Sequence, residues 1–102
     1  MGFDLYGNQK FKGEEAYFRA AIGNWPAIWG FCQKVAPTLT GMVKDPYVNG
    51  ADGLTDWESK ALGIELLLAI ARGQLDEEGE YLQAKVPMFA NFLLICGGFR
   101  IC

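Results

Sequence analysis

The sequence predicts an α+β fold in which a small antiparallel sheet, formed by the chain termini, is packed against about three helices. Two observations support this prediction. Both chain ends alternate apolar and polar residues with the period of a half-buried strand, and the middle of the chain has apolar residues at helical spacing. The chain has 102 residues and is 51% hydrophobic, which suits a single domain, residues 1–102, with its own core.

The first predicted strand covers residues 2–6, where apolar and polar residues alternate. The polar segment 7–13 predicts a turn directly after it, because Gly and Asn are typical of chain reversals. Residues 15–20 then predict either a return strand or the first turn of a helix, and the strand is favoured because Gly23 and Asn24 follow so soon. A sheet of only two terminal strands would be marginally stable, so a third strand is expected from this segment or from a second subunit.

The first predicted helix covers residues 24–36. Asn24 is a suitable N-cap, and Pro26 falls in the first turn, where its missing N–H costs nothing. Pro37 ends the helix because proline disfavours helical geometry in the residue before it. Gly30 lowers the helix propensity, and we expect a neighbouring element to pack closely over it.

A turn-rich loop at residues 40–53 precedes the strongest predicted helix, residues 55–72. Thr55 and Glu58 have the spacing of a capping box, and Gly73 follows as a C-terminal glycine. One apolar face comprises Trp57, Ala61, Ile64, Leu68 and Ala71, with Leu67 beside them. Further leucines widen the apolar arc, so this helix is expected to be central or to be covered on two sides.

The last helix is predicted at residues 86–96, with Pro87 near its start, after a polar segment that is either a short helix or a connector. Two glycines then stop it. Residues 99–102 alternate again, with Arg100 between two apolar residues. We therefore expect the two chain ends to pair as strands.

Composition and charge favour some classes of partner over others. The net charge is −3 and the sequence has no basic run, so direct nucleic-acid binding is not expected. The longest apolar stretch, residues 89–96, is far shorter than the roughly 20 residues that span a bilayer. The three cysteines are widely spaced, which favours a reducing cytoplasm. The large apolar share predicts a homodimer.

No catalytic signature is present in the residue types. The chain has no histidine, so a Cys-His or Ser-His pair cannot form within it. Three cysteines without close spacing do not make a zinc site, so no metal and no cofactor are predicted. Asp4 and Glu65 are the carboxylates that lie within apolar patterns, and simple exposure is the alternative interpretation for Glu65.

The aromatic residues are the most promising functional signal. Aromatic and arginine side chains dominate interface hot spots and also line small-molecule pockets, although such aromatics can equally form the core. Arg19 follows Tyr17 and Phe18, and an aromatic shelf with one arginine suits an anionic or planar ligand. The candidate binding residues are Asp4, Tyr6, Tyr17, Arg19, Trp25 and Trp29.

Several boxes resemble those of a known family. "GFDLYG", "YFRAAIGNWPAIWGF", an Asn-Gly loop leading to "GLT", and "FANFLLICGGFRIC" are similar to boxes of small uncharacterised proteins from bacteria, phages and mobile elements such as integron cassettes. The resemblance covers residues 2–7, 17–31, 49–71 and 89–102. The boxes mark the family but carry no catalytic residue.

Two departures from the family pattern limit what the resemblance implies. Longer relatives carry a cysteine-rich insert before the last helix, whereas residues 74–85 contain no cysteine, so no metal role transfers. The family places an arginine before the proline of its tryptophan-rich box, where this chain has Trp25, and an anion-binding role for that position does not transfer either.

The sequence therefore favours binding over catalysis. The leading hypothesis is an accessory protein of a mobile element that binds a host protein or a small ligand through an aromatic surface. One alternative is a small enzyme or ligand-sensing domain with a cleft near Asp4, Arg19 and Trp25. The other is a structural subunit of a homo-oligomer.

Overall fold

A computed structural model describes residues 2–11, 13–50 and 52–102. Lys12 and Ala51, which fall in the predicted turn and loop, lie outside the described residues. Within those ranges the chain forms a four-stranded antiparallel sheet in the order β2-β1-β4-β3. The strands are β1 (Gly2–Phe11), β2 (Glu14–Ala21), β3 (Gly53–Leu54) and β4 (Phe99–Ile101).

The helices are α1 (Trp25–Val35), the short α2 (Pro37–Thr40), α3 (Asp56–Ala71) and α4 (Glu80–Ile95). They cover the face of the sheet that carries the apolar residues of each strand, with α4 in contact with β1 and β2. The predicted α+β class is confirmed. No helix within the described residues is long and apolar enough to cross a bilayer.

The two chain ends pair as predicted. β4 lies beside β1 with Leu5 opposite Ile101 and Gly7 opposite Phe99. The predicted return strand is also confirmed, because β2 pairs with the other side of β1 and places Tyr17 opposite Tyr6. The small β3 was predicted as loop, and it forms because β4 offers it a free edge.

The first strand is longer than predicted. Gly7 and Asn8 do not end it, because a break in register between Tyr6 and Lys10 lets β1 bend and continue to Phe11. The bent segment is held by the turn between α4 and β4, where the Asn8 N–H donates to the Gly98 carbonyl at 2.8 Å. Tertiary hydrogen bonding therefore overrides the local turn signal.

The first helix begins and ends where predicted, but two of its details differ. Asn24 occupies the N-cap position without a side-chain capping hydrogen bond, since its backbone is already helical. Pro37 ends α1 and starts the short α2. The close neighbour expected over Gly30 is absent, because no described atom other than those of its chain neighbours and of its own helix backbone lies within 4 Å of the position that a Cβ would take there.

The caps of α3 are confirmed. The Thr55 N–H donates to the Glu58 carboxylate at 2.8 Å, the Thr55 side chain accepts from the Glu58 backbone, and Gly73 follows the helix with a φ of 79°. The apolar face that begins at Trp57 is not the buried side of α3. The buried side comprises Ser59, Leu62, Gly63, Leu66 and Ala69, and Trp57, Ile64 and Leu68 are exposed.

The close approach of α3 to α4 decides which side of α3 is buried. A Cβ at Gly63 would lie 3.1 Å from the Ala90 carbonyl oxygen and 3.1 Å from the Leu94 side chain. Only the side of α3 that carries this glycine can pack so closely on α4. Both sides of the helix are apolar, so periodicity alone could not distinguish them.

The last helix starts at Glu80 rather than at the predicted Val86, which places Pro87 in its interior. The polar segment before Val86 supplies the extra turn. The Gln83 amide donates to the backbone oxygens of Asp76 (3.2 Å) and Glu78 (2.7 Å) and ties this turn to the α3–α4 connection.

Asp52 organises the loop before α3. Its carboxylate accepts backbone N–H bonds from Lys44 (2.9 Å), Asp45 (3.1 Å) and Gly53 (2.9 Å). Desolvation raises the pKa of this carboxyl, but the three donors together outweigh it and hold the pKa below its usual value. The Asp52 carbonyl also accepts from the Ile101 N–H at 2.7 Å, which joins the loop to β4.

Deletion of residues 98–102 should abolish the cooperative thermal transition in circular dichroism. The deletion removes a strand that lies between β1 and β3 and whose Phe99 and Ile101 side chains are buried. Deletion of the exposed Cys102 alone is the control and should leave a sharp transition. A truncated chain that melts as sharply as the full chain, at the same temperature, would contradict this architecture.

Asp52→Asn should lower the free energy of unfolding by about 1–2 kcal/mol at neutral pH, because the charged acceptor of three N–H donors is lost. The folded pKa of Asp52 lies below its unfolded value of about 4. Its stabilisation is therefore complete above the unfolded pKa and is lost as the pH falls through the folded pKa. Urea unfolding at several pH values should show the difference from wild type shrinking in acid.

Asp45→Asn is the matched control, because it removes a carboxylate from the same loop while keeping the backbone N–H that binds Asp52. An equal loss of stability in both variants, or a difference that does not depend on pH, would rule out this role for Asp52.

Candidate functional site

The alternation of the strands separates the side chains into two groups. Phe3, Leu5 and Phe18 point towards the helices and are buried. The residues between them point away from the helices and form what we call the outer sheet face. It comprises Asp4, Tyr6, Glu15, Tyr17, Arg19 and Arg100.

Asp4, Tyr17 and Arg19 form one half of this face. The Tyr17 hydroxyl donates to Asp4 Oδ1 at 2.5 Å, and Arg19 Nη1 lies 3.7 Å from the same oxygen. Tyr17 is 50% exposed and the Arg19 side chain is 54% exposed. The hydrogen bond to Asp4 raises the pKa of Tyr17, with smaller contributions from desolvation and the Asp4 charge, and Arg19 opposes it.

Tyr6 and Arg100 form the other half. The Arg100 guanidinium lies 5.6 Å from the Tyr6 ring centre and donates to the Asn8 side chain at 3.1 Å. It also lies 3.7 Å from the Glu15 carboxylate. The Tyr6 and Tyr17 rings are 5.2 Å apart and join the two halves.

Four of the six predicted binding residues are brought together on this face, namely Asp4, Tyr6, Tyr17 and Arg19. Sequence reasoning missed Glu15 and Arg100. The alternation of the C-terminal strand already predicts that Arg100 points to the other face of the sheet from its two apolar neighbours in the sequence. Only the register of β4 on β1 shows that Arg100 reaches Tyr6.

The two predicted tryptophans belong to the core, which corrects their assignment to a binding surface. Trp25 and Trp29 are completely buried, with ring centres 5.4 Å apart. The Trp25 indole N–H donates to the Pro46 carbonyl at 2.6 Å. On the helix side of the sheet, Trp25 packs against Phe3 and Phe89, and Trp29 stacks on Trp25.

The predicted cleft near Asp4, Arg19 and Trp25 is not formed, because the sheet separates Trp25 from the other two residues. A cleft of about 280 Å³ lies elsewhere, where the C-terminal ends of α1 and α3 meet. Lys34, Arg72 and Glu77 are among its lining residues. It contains none of the predicted binding residues.

The cysteines offer little reactivity inside the fold. Cys32 and Cys96 are buried, and desolvation raises the pKa of both thiols, which keeps them protonated. Cys102 is exposed. Among the described residues, no group of three or more Cys, Asp or Glu side chains is placed to hold a metal ion.

Asp4→Asn should lower the pKa of Tyr17 towards its ordinary value of about 10, because the carboxylate that accepts its hydrogen bond becomes a neutral amide. A pH titration followed by NMR of the ¹³C-labelled tyrosine ring measures this pKa. Glu77→Gln, at an exposed position in the α3–α4 connection, is the control and should leave the pKa of Tyr17 unchanged. An unchanged pKa in Asp4→Asn would exclude the proposed pairing.

Comparison of the chain with family models, with curated proteins and with solved structures returns no match. The resemblance to mobile-element proteins therefore rests on the quoted sequence boxes and stays a prediction.

Proposed function

We propose that this chain is a small non-catalytic binding protein that contacts a protein partner through the outer sheet face. The main support is the position of Tyr17 and Arg19, which are both about half-exposed on the edge strand β2. Tyrosine and arginine are the residue types enriched in interface hot spots, because each combines a large planar contact area with directional polar groups.

The geometry of the face favours binding over catalysis. The Asp4 carboxylate is occupied by the Tyr17 hydroxyl and by the nearby Arg19, so it is not a free base. The surface around it is open rather than enclosed, and an open surface does not exclude water from a reacting group. These features support a contact surface more than the enzyme or ligand-sensing alternative.

The free edge of the sheet supports a protein partner in particular. β2 has β1 as its only neighbouring strand in the described sheet. The backbone N–H and C=O groups on its other side can pair with an extended segment of a partner. Such a segment would run beside Tyr17 and Arg19, whose side chains could contact it.

The charges of the face argue against nucleic acid as the partner. Arg19 lies beside Asp4, and Arg100 lies beside Glu15, so two guanidinium groups are balanced by two carboxylates. A phosphate backbone would meet as much negative charge as positive charge here. We therefore propose a protein partner, with a planar or anionic small molecule as the alternative outcome of the test below.

The cellular setting is also proposed. Cys32, Cys96 and Cys102 carry free thiols, which agrees with a reducing cytoplasm. The family boxes support an origin in a mobile element, where the natural partner is a host protein. A homodimer is a further part of the proposal, and exposed apolar residues on α3 support it.

Affinity capture from a bacterial lysate tests the binding proposal, with mass spectrometry of both proteins and small molecules. A partner enriched by wild type should be lost with Arg19→Ala and with Tyr17→Ala. The purified partner should then show an affinity roughly 10-fold weaker or more for each variant in calorimetry, as expected for hot-spot residues.

The matched control is Gln33→Ala, an exposed substitution on α1, which should retain the partner. The proposal fails if Arg19→Ala and Tyr17→Ala capture the same molecules as wild type with the same affinity. Enrichment of a small molecule without any protein would favour the ligand alternative.

A further inference from the structure

The outer edge of β2 is the longest unpaired edge of the described sheet. β2 has eight residues and β1 as its only neighbouring strand, whereas β3, at the opposite edge, has two residues. β2 contains no proline, and the extra residues of the register break lie in β1 rather than in β2. A long regular edge without such protection can pair with a strand of another chain.

The hydrogen bond between Cys102 and Asp4 identifies the backbone groups that point to this edge. The Cys102 N–H donates to the Asp4 carbonyl at 2.7 Å, so the polar backbone groups of Asp4 point towards β4. Those of the next residue, Leu5, therefore point towards β2, where Leu5 lies opposite Phe18. The direction alternates along β2, so every second residue points to the free edge. These residues include Glu15, Tyr17 and Arg19.

The helix nearest to β2 leaves this edge accessible. The Phe92 ring of α4 lies 6.0 Å from Phe18 of β2 and 6.1 Å from Phe99 of β4. β1 lies between these two strands, so this part of α4 is centred over β1 rather than over the outer edge of β2. A further strand can therefore pair with β2 in the plane of the sheet.

We infer that β2 pairs antiparallel with β2 of a second copy, about a two-fold axis at Tyr17, and joins the two sheets into one. This inference rests on the homodimer of the proposed function and names the strand that the β2 edge binds. A two-fold interface must be self-complementary, because each residue meets the same strand of the second copy. The interface uses no residue of α3, and the outer sheet faces of the two copies form one continuous surface.

The charges of β2 select this register. Glu15 and Arg19 are each two residues from Tyr17, so Glu15 of one copy lies directly opposite Arg19 of the other. Directly opposite residues of an antiparallel pair point to the same face, so these side chains meet as two ion pairs on the outer sheet face. Both are available for this contact, since the Glu15 side chain is 47% exposed and the Arg19 side chain is 54% exposed in one chain.

The backbone fits the same register. The pairs of Tyr17 with Tyr17 and of Glu15 with Arg19 join residues whose polar backbone groups point to the edge, which gives about six hydrogen bonds between the copies. A shift by one residue would place side chains of the helix side opposite side chains of the outer face. A two-fold axis at Phe18 would place Glu15 opposite Ala21 and leave its charge without a partner in the second copy.

Sedimentation equilibrium of the full chain, in reductant and from about 1 to 200 µM, tests the two ion pairs. Wild type should show a monomer–dimer equilibrium. Glu15→Arg alone and Arg19→Glu alone should each raise the dissociation constant roughly 10-fold or more, because like charges then lie opposite each other at two places. An equimolar mixture of the two variants should dimerise about as tightly as wild type, since both pairs across the axis again have opposite charges.

Glu14→Arg is the matched control, because it makes the same change of charge on the same strand but lies opposite Ala20 of the second copy. It should leave the dissociation constant near that of wild type. All three variants should keep a cooperative thermal transition in circular dichroism, since the substituted residues are exposed. A chain that is monomeric throughout, or a mixture that dimerises no better than either variant alone, would overturn the inference.

Disulfide formation on a Cys102→Ser background tests the position of the axis. Tyr17→Cys should oxidise to a covalent dimer, because the two Cα atoms lie about 5.5 Å apart across the axis. Arg19→Cys alone should not, because its counterpart lies about 13 Å further along the second strand. Efficient disulfide formation between Tyr17→Cys and Arg19→Cys chains would instead place the axis at Phe18 and would overturn the proposed register.

The dimer is measured with the purified chain alone, which separates it from the capture of a partner from lysate. If capture fails while the mixture of charge variants dimerises, the host partner is excluded and the β2 dimer stands. If the chain stays monomeric while Arg19→Ala and Tyr17→Ala lose a captured protein, the outer sheet face binds a partner as a monomer and the β2 dimer is excluded.

Discussion

The insertion of β4 between β1 and β3 is the constraint on which the rest of the structure depends. β4 has only three residues, yet it pairs with β1 through Leu5 opposite Ile101 and with β3 through Leu54 opposite Phe99. Gly97 and Gly98 turn the chain from α4 into the sheet with φ values of 68° and 90°, which suit glycine. The C-terminal strand therefore joins the N-terminal strands to β3 in one sheet.

The sheet separates two sets of aromatic residues. On the helix side, Phe18 lies 4.9 Å from Phe89 and Trp25 stacks on Trp29, and these rings form the core. On the other side, the Tyr6 and Tyr17 rings contact each other, and the Tyr17 hydroxyl donates to Asp4. On the sheet, the tyrosines are therefore the aromatic residues available to a partner.

The molecule presents two surfaces of different chemistry. The outer sheet face is polar and balanced in charge, whereas the outer side of α3 exposes the apolar residues Trp57, Ile64, Leu67 and Leu68. α3 supplies no residue to the sheet, so the two surfaces lie on different elements of the fold.

Local sequence features determined the elements and their ends. Alternation of apolar and polar residues identified the two terminal strands. The Thr55–Glu58 capping box and Gly73 identified the two ends of α3. These features could be predicted because strand period and cap chemistry depend on residues close in sequence. Tertiary structure alone decided the burial of Trp25, the extension of β1 and the buried side of α3. Both sides of α3 are apolar, and Gly63 selects one only because α4 lies within reach of it. Which side of an element is buried depends on the element that packs against it, and residues close in sequence do not specify that packing partner.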